Sequence, residues 1–211
     1  MFSQSMSSWA SLLFSFSDDE QLPVIQTNIS NAIHEFRIGE LPGDDMCLFS
    51  CVIYSLDRSQ TISIKRLRTN VANYIRQSKN ISDIPLIQNT GCQTREEYCQ
   101  KIEQGITWVG ESERRILAEF YPNILFCIIS KTSEPRVHID TYVKDVSLYK
   151  RCIIIYYDAA AKIYFPLFLY DKLNQQEERN CLKYDDMTKF LLKKFIENTL
   201  DCKKISMIDR T

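Results

Sequence analysis

The stretch that decides the fold is PGDDMCL, residues 42–48, a tight acidic turn that leads into Cys47 and an apolar run. The apolar residues after it have the spacing of a buried helical stripe: Phe49, Val52, Ile53 and Leu56. Cys47 is therefore predicted to lie in the first turn of a helix, where the helix dipole lowers a thiol pKa and free N–H groups can hold an oxyanion. Cys47 is the best candidate nucleophile in the chain, and a buried thiol acting as a small hydrophobe is the alternative.

Composition indicates an ordinary globular protein with one sizeable core. The 211 residues are 45% hydrophobic and 25% charged, with a formal net charge of −1. So balanced a charge disfavours nucleic acid and anionic membrane as partners. No apolar run reaches the length of about 18 residues that a membrane span requires. With five glycines there is no phosphate-binding loop, and no cysteine–histidine set predicts a metal, so no cofactor is expected.

Eight cysteines are spread over the chain, several of them inside apolar runs around Cys127 and Cys152. Cysteines in such positions are typical of reduced core thiols rather than of a disulfide framework. The sequence therefore predicts a reducing, cytoplasmic compartment.

The chain is predicted to divide into an N-terminal extension over residues 1–29, a central domain over 30–170 and a C-terminal helical extension over 171–211. The N-terminal part carries Trp9 and Phe14, which are expected to anchor it on the domain. An amphipathic helix is predicted over 186–199, with its apolar face packed either on the domain or on a protein partner.

A short helix or helix end is predicted over residues 30–36, with residues 36–38 as an extended lead-in to the turn at residues 42–43. A second helix is predicted over 62–76, a third after the capping pattern of Thr94 and Glu97, and a fourth before Pro122. The basic residues of the second of these helices, such as Arg68 and Arg76, are expected to face solvent. Strands are predicted over 123–130, 137–143, 152–157 and 163–170, the last two as an antiparallel hairpin.

Three blocks in this order resemble the ovarian-tumour (OTU) family of cysteine proteases: the Cys47 turn, Trp108-Val109-Gly110-Glu111, and the hairpin end Ile163-Tyr164-Phe165-Pro166-Leu167. The likeness covers about residues 30–170. It implies an α+β, papain-like cysteine protease fold, with a small mixed or antiparallel sheet between helical lobes. It also implies hydrolysis at the C-terminus of ubiquitin or a ubiquitin-like protein.

Carried over residue by residue, Cys47 matches the nucleophile and Asp44 the turn that forms the oxyanion pocket. By the same likeness, Trp108, Glu111 and Tyr164 belong to the binding region. Asp45 stands where the family prefers glycine, and a carboxylate beside Cys47 would raise its pKa.

The last strand departs further from the family pattern. Ile163 stands where the family places its catalytic histidine, and Phe165 where it places the acid or amide that orients that histidine. Only Tyr164, between them, fits. Neither apolar side chain can accept a proton, so the resemblance implies a ubiquitin-binding domain with little or no turnover.

Two other interpretations stay open. One is an active deubiquitinase whose base comes from elsewhere: the chain has two histidines, His34 and His138, and Asp140 would share a strand face with His138. The other is an interaction or scaffold protein that does not bind ubiquitin.

Overall fold

A computed structural model describes residues 33–40, 48–56, 62–79, 81, 90–106, 110–131, 136–143, 145–178, 181–202 and 204–210. The helices are α1 (Leu48–Leu56), α2 (Ile64–Gln77), α3 (Arg95–Gln104), α4 (Glu111–Phe120) and α5 (Asp186–Thr199). The strands are β1 (His34–Ile38), β2 (Leu125–Lys131), β3 (Arg136–Thr141), β4 (Arg151–Asp158), β5 (Ile163–Asp171), β6 (Gln176–Glu178), β7 (Leu182–Lys183) and β8 (Lys204–Asp209).

All eight described strands form one mixed sheet in the order β1-β5-β4-β2-β3-β8, with β6 paired to β5 and β7 to β4. β2 pairs with β4 in parallel, and β3 pairs with β8 in parallel. The β4–β5 hairpin is antiparallel, with Tyr156 opposite Phe165 and Tyr157 opposite Tyr164. The predicted α+β class, mixed sheet and hairpin are therefore confirmed.

Each face of the sheet carries its own core. Helices α1–α4 pack on one face, around residues such as Phe126, Ile153 and Tyr164. α5 packs on the other face, with Phe195 and Ile196 against residues such as Phe36. Alternate residues of a strand point to opposite faces, which is how these runs of apolar residues supply both cores.

The C-terminal part of the chain is built into this sheet. The apolar stripe of α5 is buried on the sheet, as predicted by the first of the two options for that helix. β8, which the sequence analysis missed, pairs with β3 at the sheet edge, and Arg210 N–H donates to the Thr141 carbonyl at 2.9 Å. Residues 1–29, with Trp9 and Phe14, lie outside the described residues.

Of the helix or helix end predicted over residues 30–36, Ile33 is helical, whereas residues 34–36 already belong to strand β1 (His34–Ile38), which pairs antiparallel with β5. The extended conformation predicted for residues 36–38 is confirmed. Phe36 points to the α5 core, and Glu35 and Arg37 on either side form an ion pair at 2.6 Å. Five alternating residues fit a strand as well as a helix end, and the available β5 edge decides between them.

The other helix predictions are confirmed. Thr94 accepts the Glu97 N–H at 3.1 Å at the start of α3, and Gly105 ends this helix with a left-handed φ of 74°.

One prediction about α2 is wrong. Arg68 is buried, with its guanidinium donating to the Ile102 carbonyl at 3.2 Å and lying over the Phe49 ring. Its hydrogen bond and ring contact offset the cost of burying a charge.

Candidate active site

The predicted site residues divide into two groups. Cys47, Asp44 and Trp108 lie outside the described residues, as do Asp45 and Met46. Glu111, Ile163, Tyr164 and Phe165 are described.

Two elements that flank the Cys47 turn are described, and both pack on β5. Before the turn, the chain continues beyond β1 to Gly39, whose N–H donates to the Pro166 carbonyl at 2.8 Å. A Cβ at position 39 would lie 3.0 Å from Pro166 and Phe168 side-chain atoms, so glycine allows this close approach. After the turn, α1 starts at Leu48 and packs on β5 and β4.

Ile163 and Phe165 project toward the α5 face of the sheet. Phe165 packs at the edge of that core and stacks on Tyr156, with ring centroids 6.2 Å apart and an angle of 24° between the planes. Ile163, two residues earlier and opposite Asp158, lies on the same face by strand alternation and is half-buried. The two positions flanking Tyr164 therefore present apolar groups.

Tyr164 projects to the opposite face, into the core between the sheet and helices α1–α4, and is only 1% exposed. Its hydroxyl oxygen accepts two hydrogen bonds from the Arg114 guanidinium on α4, from Nε at 3.0 Å and from Nη2 at 2.9 Å. Burial raises the pKa of Tyr164 to about 12, so the phenol is neutral at physiological pH. This buried position assigns Tyr164 to a structural network rather than to a surface that contacts a partner.

Arg114 joins three elements of the fold. Its Nη1 lies 3.5 Å from Asp140 Oδ2 on β3 and 3.6 Å from Glu111 Oε2 at the start of its own helix. Its guanidinium carbon lies 4.8 Å from the centre of the Tyr157 ring, which itself stacks on Tyr164. We call Arg114, Tyr157, Tyr164 and Asp140 the arginine cluster.

The partners of Asp140 account for both of its carboxylate oxygens. Asp140 Oδ2 faces Arg114. Asp140 Oδ1 accepts a hydrogen bond of 3.1 Å from Nε of Arg210, the residue that follows β8. Asp140 is buried, and two guanidinium groups compensate its charge.

The role of Arg114 was not predicted from the sequence. The available signal is its position: with Leu117 and Ala118 it occupies the i, i+3, i+4 stripe of α4 that is buried.

Glu113 is a second residue that the sequence analysis missed. Its carboxylate accepts the Gly110 N–H at 2.6 Å, which closes the N-terminus of α4. It is 2% exposed, its Oε1 has no hydrogen-bond partner among the described residues, and burial raises its pKa. The three-residue spacing from Gly110 is the signal that could have identified it. Glu111, by contrast, is 48% exposed and accepts from the Tyr142 hydroxyl at 3.5 Å.

The two histidines lie on β1 and β3. His34 is opposite Asp171, eight residues along β5 from Ile163, or about 27 Å at strand rise. His138 is in register with Ser130, Tyr157 and Tyr164 across four neighbouring strands, so three strand spacings, about 14 Å, separate it from Tyr164.

Neither a metal site nor a membrane-spanning helix is found among the described residues. No group of three or more His, Cys, Asp or Glu side chains there could hold a metal ion. None of the helices described is long and apolar enough to cross a bilayer. Seven described cysteines are free thiols, six of them buried.

Comparison with known proteins gives consistent matches. Residues 42–164 match the family model described as OTU-like cysteine protease. Over 118 residues, 55% of this chain, the chain is 28% identical to ubiquitin thioesterase OTU1 of Rattus norvegicus and 27% identical to that of Homo sapiens. It spans about a third of the length of these relatives, 32% of each.

Two solved structures are also similar. One is an OTU domain in complex with ubiquitin, 18% identical with a TM-score of 0.47, over 78% of this chain and 88% of that one. The other is an OTU deubiquitinase from Wolbachia pipientis wMel bound to ubiquitin, 18% identical with a TM-score of 0.48, over 67% of this chain and 99% of that one. Because the family model alone covers more than half of the residues and spans both the Cys47 turn and the start of β5, this chain belongs to the family of OTU-like cysteine proteases.

Proposed function

We propose that this chain is an OTU domain that binds ubiquitin, or a ubiquitin-like protein, without hydrolysing its conjugates. The observation that carries the proposal is the pair of apolar residues on β5. By the resemblance, Ile163 and Phe165 correspond to the family's histidine and its orienting acid or amide, and both lie on the α5 face of the sheet, opposite to α1. Tyr164, the residue between them, lies on the α1 side and accepts from Arg114, so a shift of the alignment by one residue supplies no imidazole either.

A cysteine protease needs a proton acceptor near neutrality, which activates the thiol and then protonates the leaving amine. An imidazole does both, and an isoleucine does neither. Cys47 at a helix N-terminus could still form a reactive thiolate. The Cys47 thiol could therefore react with an electrophile even though the chain does not complete a hydrolytic cycle.

The surroundings of the two histidines support the same conclusion. α1 packs on β5 and β4, whereas His138 is on β3 and His34 pairs at the far end of β5. Asp140, which would have to orient His138, has Arg114 and Arg210 on its two carboxylate oxygens. An alternative base built from His138 and Asp140 would have to break these ion pairs.

Ubiquitin recognition is supported by family membership and by the relatives, which are named ubiquitin thioesterases. Since the chain spans about a third of those proteins, neither their substrate nor their activity transfers with the match. Trp108 and the exposed Glu111 are the proposed binding residues to test, because they belong to the family block before α4.

The binding arm of the test is an NMR titration of ¹⁵N-labelled ubiquitin with the full chain. We expect saturable shifts in ubiquitin resonances and weaker binding for Trp108→Ala and Glu111→Lys. Lys183→Glu, an exposed position on β7, is the matched control and should bind as the wild type does.

The cleavage arm follows di-ubiquitin of each linkage by gel. Intact di-ubiquitin together with ubiquitin binding supports the proposal. Intact di-ubiquitin without binding would favour the scaffold interpretation, and cleavage that Cys47→Ala abolishes would favour an active enzyme.

A further inference from the structure

A groove of about 570 Å³ runs along the outer side of β1, between this strand and α5. All five residues of β1 line it, and α5 contributes Leu191, Lys194, Phe195, Asn198 and Thr199. Within the described part of the chain, β1 pairs with β5 alone, so its other edge is open. An extended segment beside an edge strand and a helix is a recurring mode of peptide recognition.

The charges at this groove are mainly basic. Arg37, Lys172 and Lys194 line it, with Glu35 as the acidic residue. Glu35 is paired with both Arg37 and Lys172, at 2.6 and 2.8 Å, whereas Lys194 is exposed at the helix side. The floor is apolar, because Phe36 and Phe195 meet there edge to face. A matching segment would carry acidic side chains together with a few apolar ones.

The chain itself contains such a segment on the N-terminal side of β1. Residues 1–32 include three acidic residues, Asp18, Asp19 and Glu20, and no lysine, arginine or histidine. Apolar residues follow the acidic triplet in LPVI, residues 22–25. We propose that the stretch around residues 18–25 docks in the groove between β1 and α5, with its carboxylates facing Lys194 and Lys172.

Connectivity permits this contact. The first described residue, Ile33, accepts the Lys172 N–H on its carbonyl at 2.7 Å, so the chain enters β1 beside one of the groove's basic residues. The 13 residue steps from Glu20 to Ile33 reach as far as about 43 Å when extended, and β1 is about 17 Å long. Docking there would cover an exposed sheet edge, which folded proteins protect against pairing with other chains.

The test is zero-length carbodiimide crosslinking of the full chain at low protein concentration, with crosslinks mapped by mass spectrometry in the monomer fraction. We expect amide crosslinks from Lys194 or Lys172 to Asp18, Asp19 or Glu20, and several-fold less of them in 0.5 M NaCl, because salt screens exposed charges. Lys193→Glu, adjacent on α5 and not part of the groove lining, is the matched control and should leave the Lys172 crosslinks unchanged.

A double variant with exchanged charges distinguishes loss of the contact from misfolding of the variant. Lys194→Asp combined with Asp19→Lys should restore a crosslink between positions 194 and 19 that Lys194→Asp alone loses. Absence of any crosslink between residues 18–20 and the groove in the wild type would overturn the proposal. Crosslinks found only in the dimer fraction would overturn it too, since they would assign the groove to a second copy.

Discussion

The two faces of β5 differ sharply over three consecutive residues. Toward α1–α4, Tyr164 is fully buried yet keeps a polar group, held by two hydrogen bonds from Arg114. Toward α5, Ile163 and Phe165 are apolar, and Phe165 stacks on Tyr156. The polar group lies on the face where buried partners satisfy it. The two residues that, by the family resemblance, would transfer and orient a proton are apolar and lie on the other face.

The two faces of this short strand segment therefore stabilise the fold in different ways. The arginine cluster joins α4 to β5 and β3, so it supports the fold regardless of turnover. Substitutions on the face that packs against α1–α4 should therefore change the free energy of unfolding mainly through lost charge pairing and hydrogen bonding. Substitutions on the α5 face should act through packing.

Removing the Arg114 guanidinium should have the largest effect. Arg114→Met keeps much of the side-chain volume but removes the contact of Arg114 with the buried Asp140 and both guanidinium hydrogen bonds to the Tyr164 hydroxyl. We expect the free energy of unfolding to fall by about 3 kcal/mol or more, as when one partner of a buried ion pair is lost. Urea denaturation measures this, and Arg66→Met, at an exposed position on α2, should change it by less than about 0.5 kcal/mol. Equal losses in both variants would contradict the cluster's role.

Phe165→Asn tests the apolar face. It removes the stacked ring beside Tyr156 and places an amide against the α5 core, so we expect a loss of about 2 kcal/mol in unfolding free energy. Phe165→Leu, which keeps the site apolar, should lose less. If asparagine proved as stable as phenylalanine in thermal and urea unfolding, position 165 would be open to water rather than packed.

Tyr164→Phe isolates the hydroxyl. The ring remains against Tyr157 while Arg114 loses one acceptor, so we expect a loss of about 1 kcal/mol. In the Arg114→Met background the same change should have a smaller effect, because both hydrogen bonds from the guanidinium are already absent. A double-mutant cycle that shows independent effects would mean that the hydroxyl and the guanidinium do not stabilise each other.

Glu113→Gln should have the smallest effect and one that depends on pH. Burial raises the pKa of Glu113 in the folded state, so this residue's contribution to stability is greatest below its unfolded pKa of about 4.3 and falls as the pH rises through the folded value. Glutamine keeps an acceptor for the Gly110 N–H but does not ionise. The variant should therefore be less stable relative to wild type at pH 4.5 than at pH 8, as urea midpoints at both values would show. A constant difference between the two pH values would exclude ionisation of Glu113 as the cause.

Much of the fold could be predicted from the sequence because its signals are local. Periodic apolar stripes placed α2, α4 and α5, and the Thr94 cap placed the start of α3. β1 was predicted to be extended only over its last three residues, 36–38, and β8 was missed, since short edge strands owe their structure to the neighbour with which they pair.

The candidate site was accessible mainly through motifs. The positions of Ile163, Tyr164 and Phe165 on β5 followed from the hairpin pattern, and the structure confirms that hairpin. The arginine cluster was not predicted, because Arg114, Tyr164 and Asp140 come from elements far apart in the chain. The one available sign was that Arg114, a charged residue, lies within the buried stripe of α4. Such a stripe does not show which residues pair with the arginine.

The most direct test of the absence of hydrolysis is the initial rate of fluorophore release from a C-terminal amide of ubiquitin. It is measured for the wild type and for Cys47→Ala at the same concentration. A general base contributes about 10²- to 10⁴-fold in rate, so without one the two proteins should release fluorophore at indistinguishable rates. A wild-type rate a hundredfold above that of Cys47→Ala would contradict the account and require a proton acceptor beside Cys47.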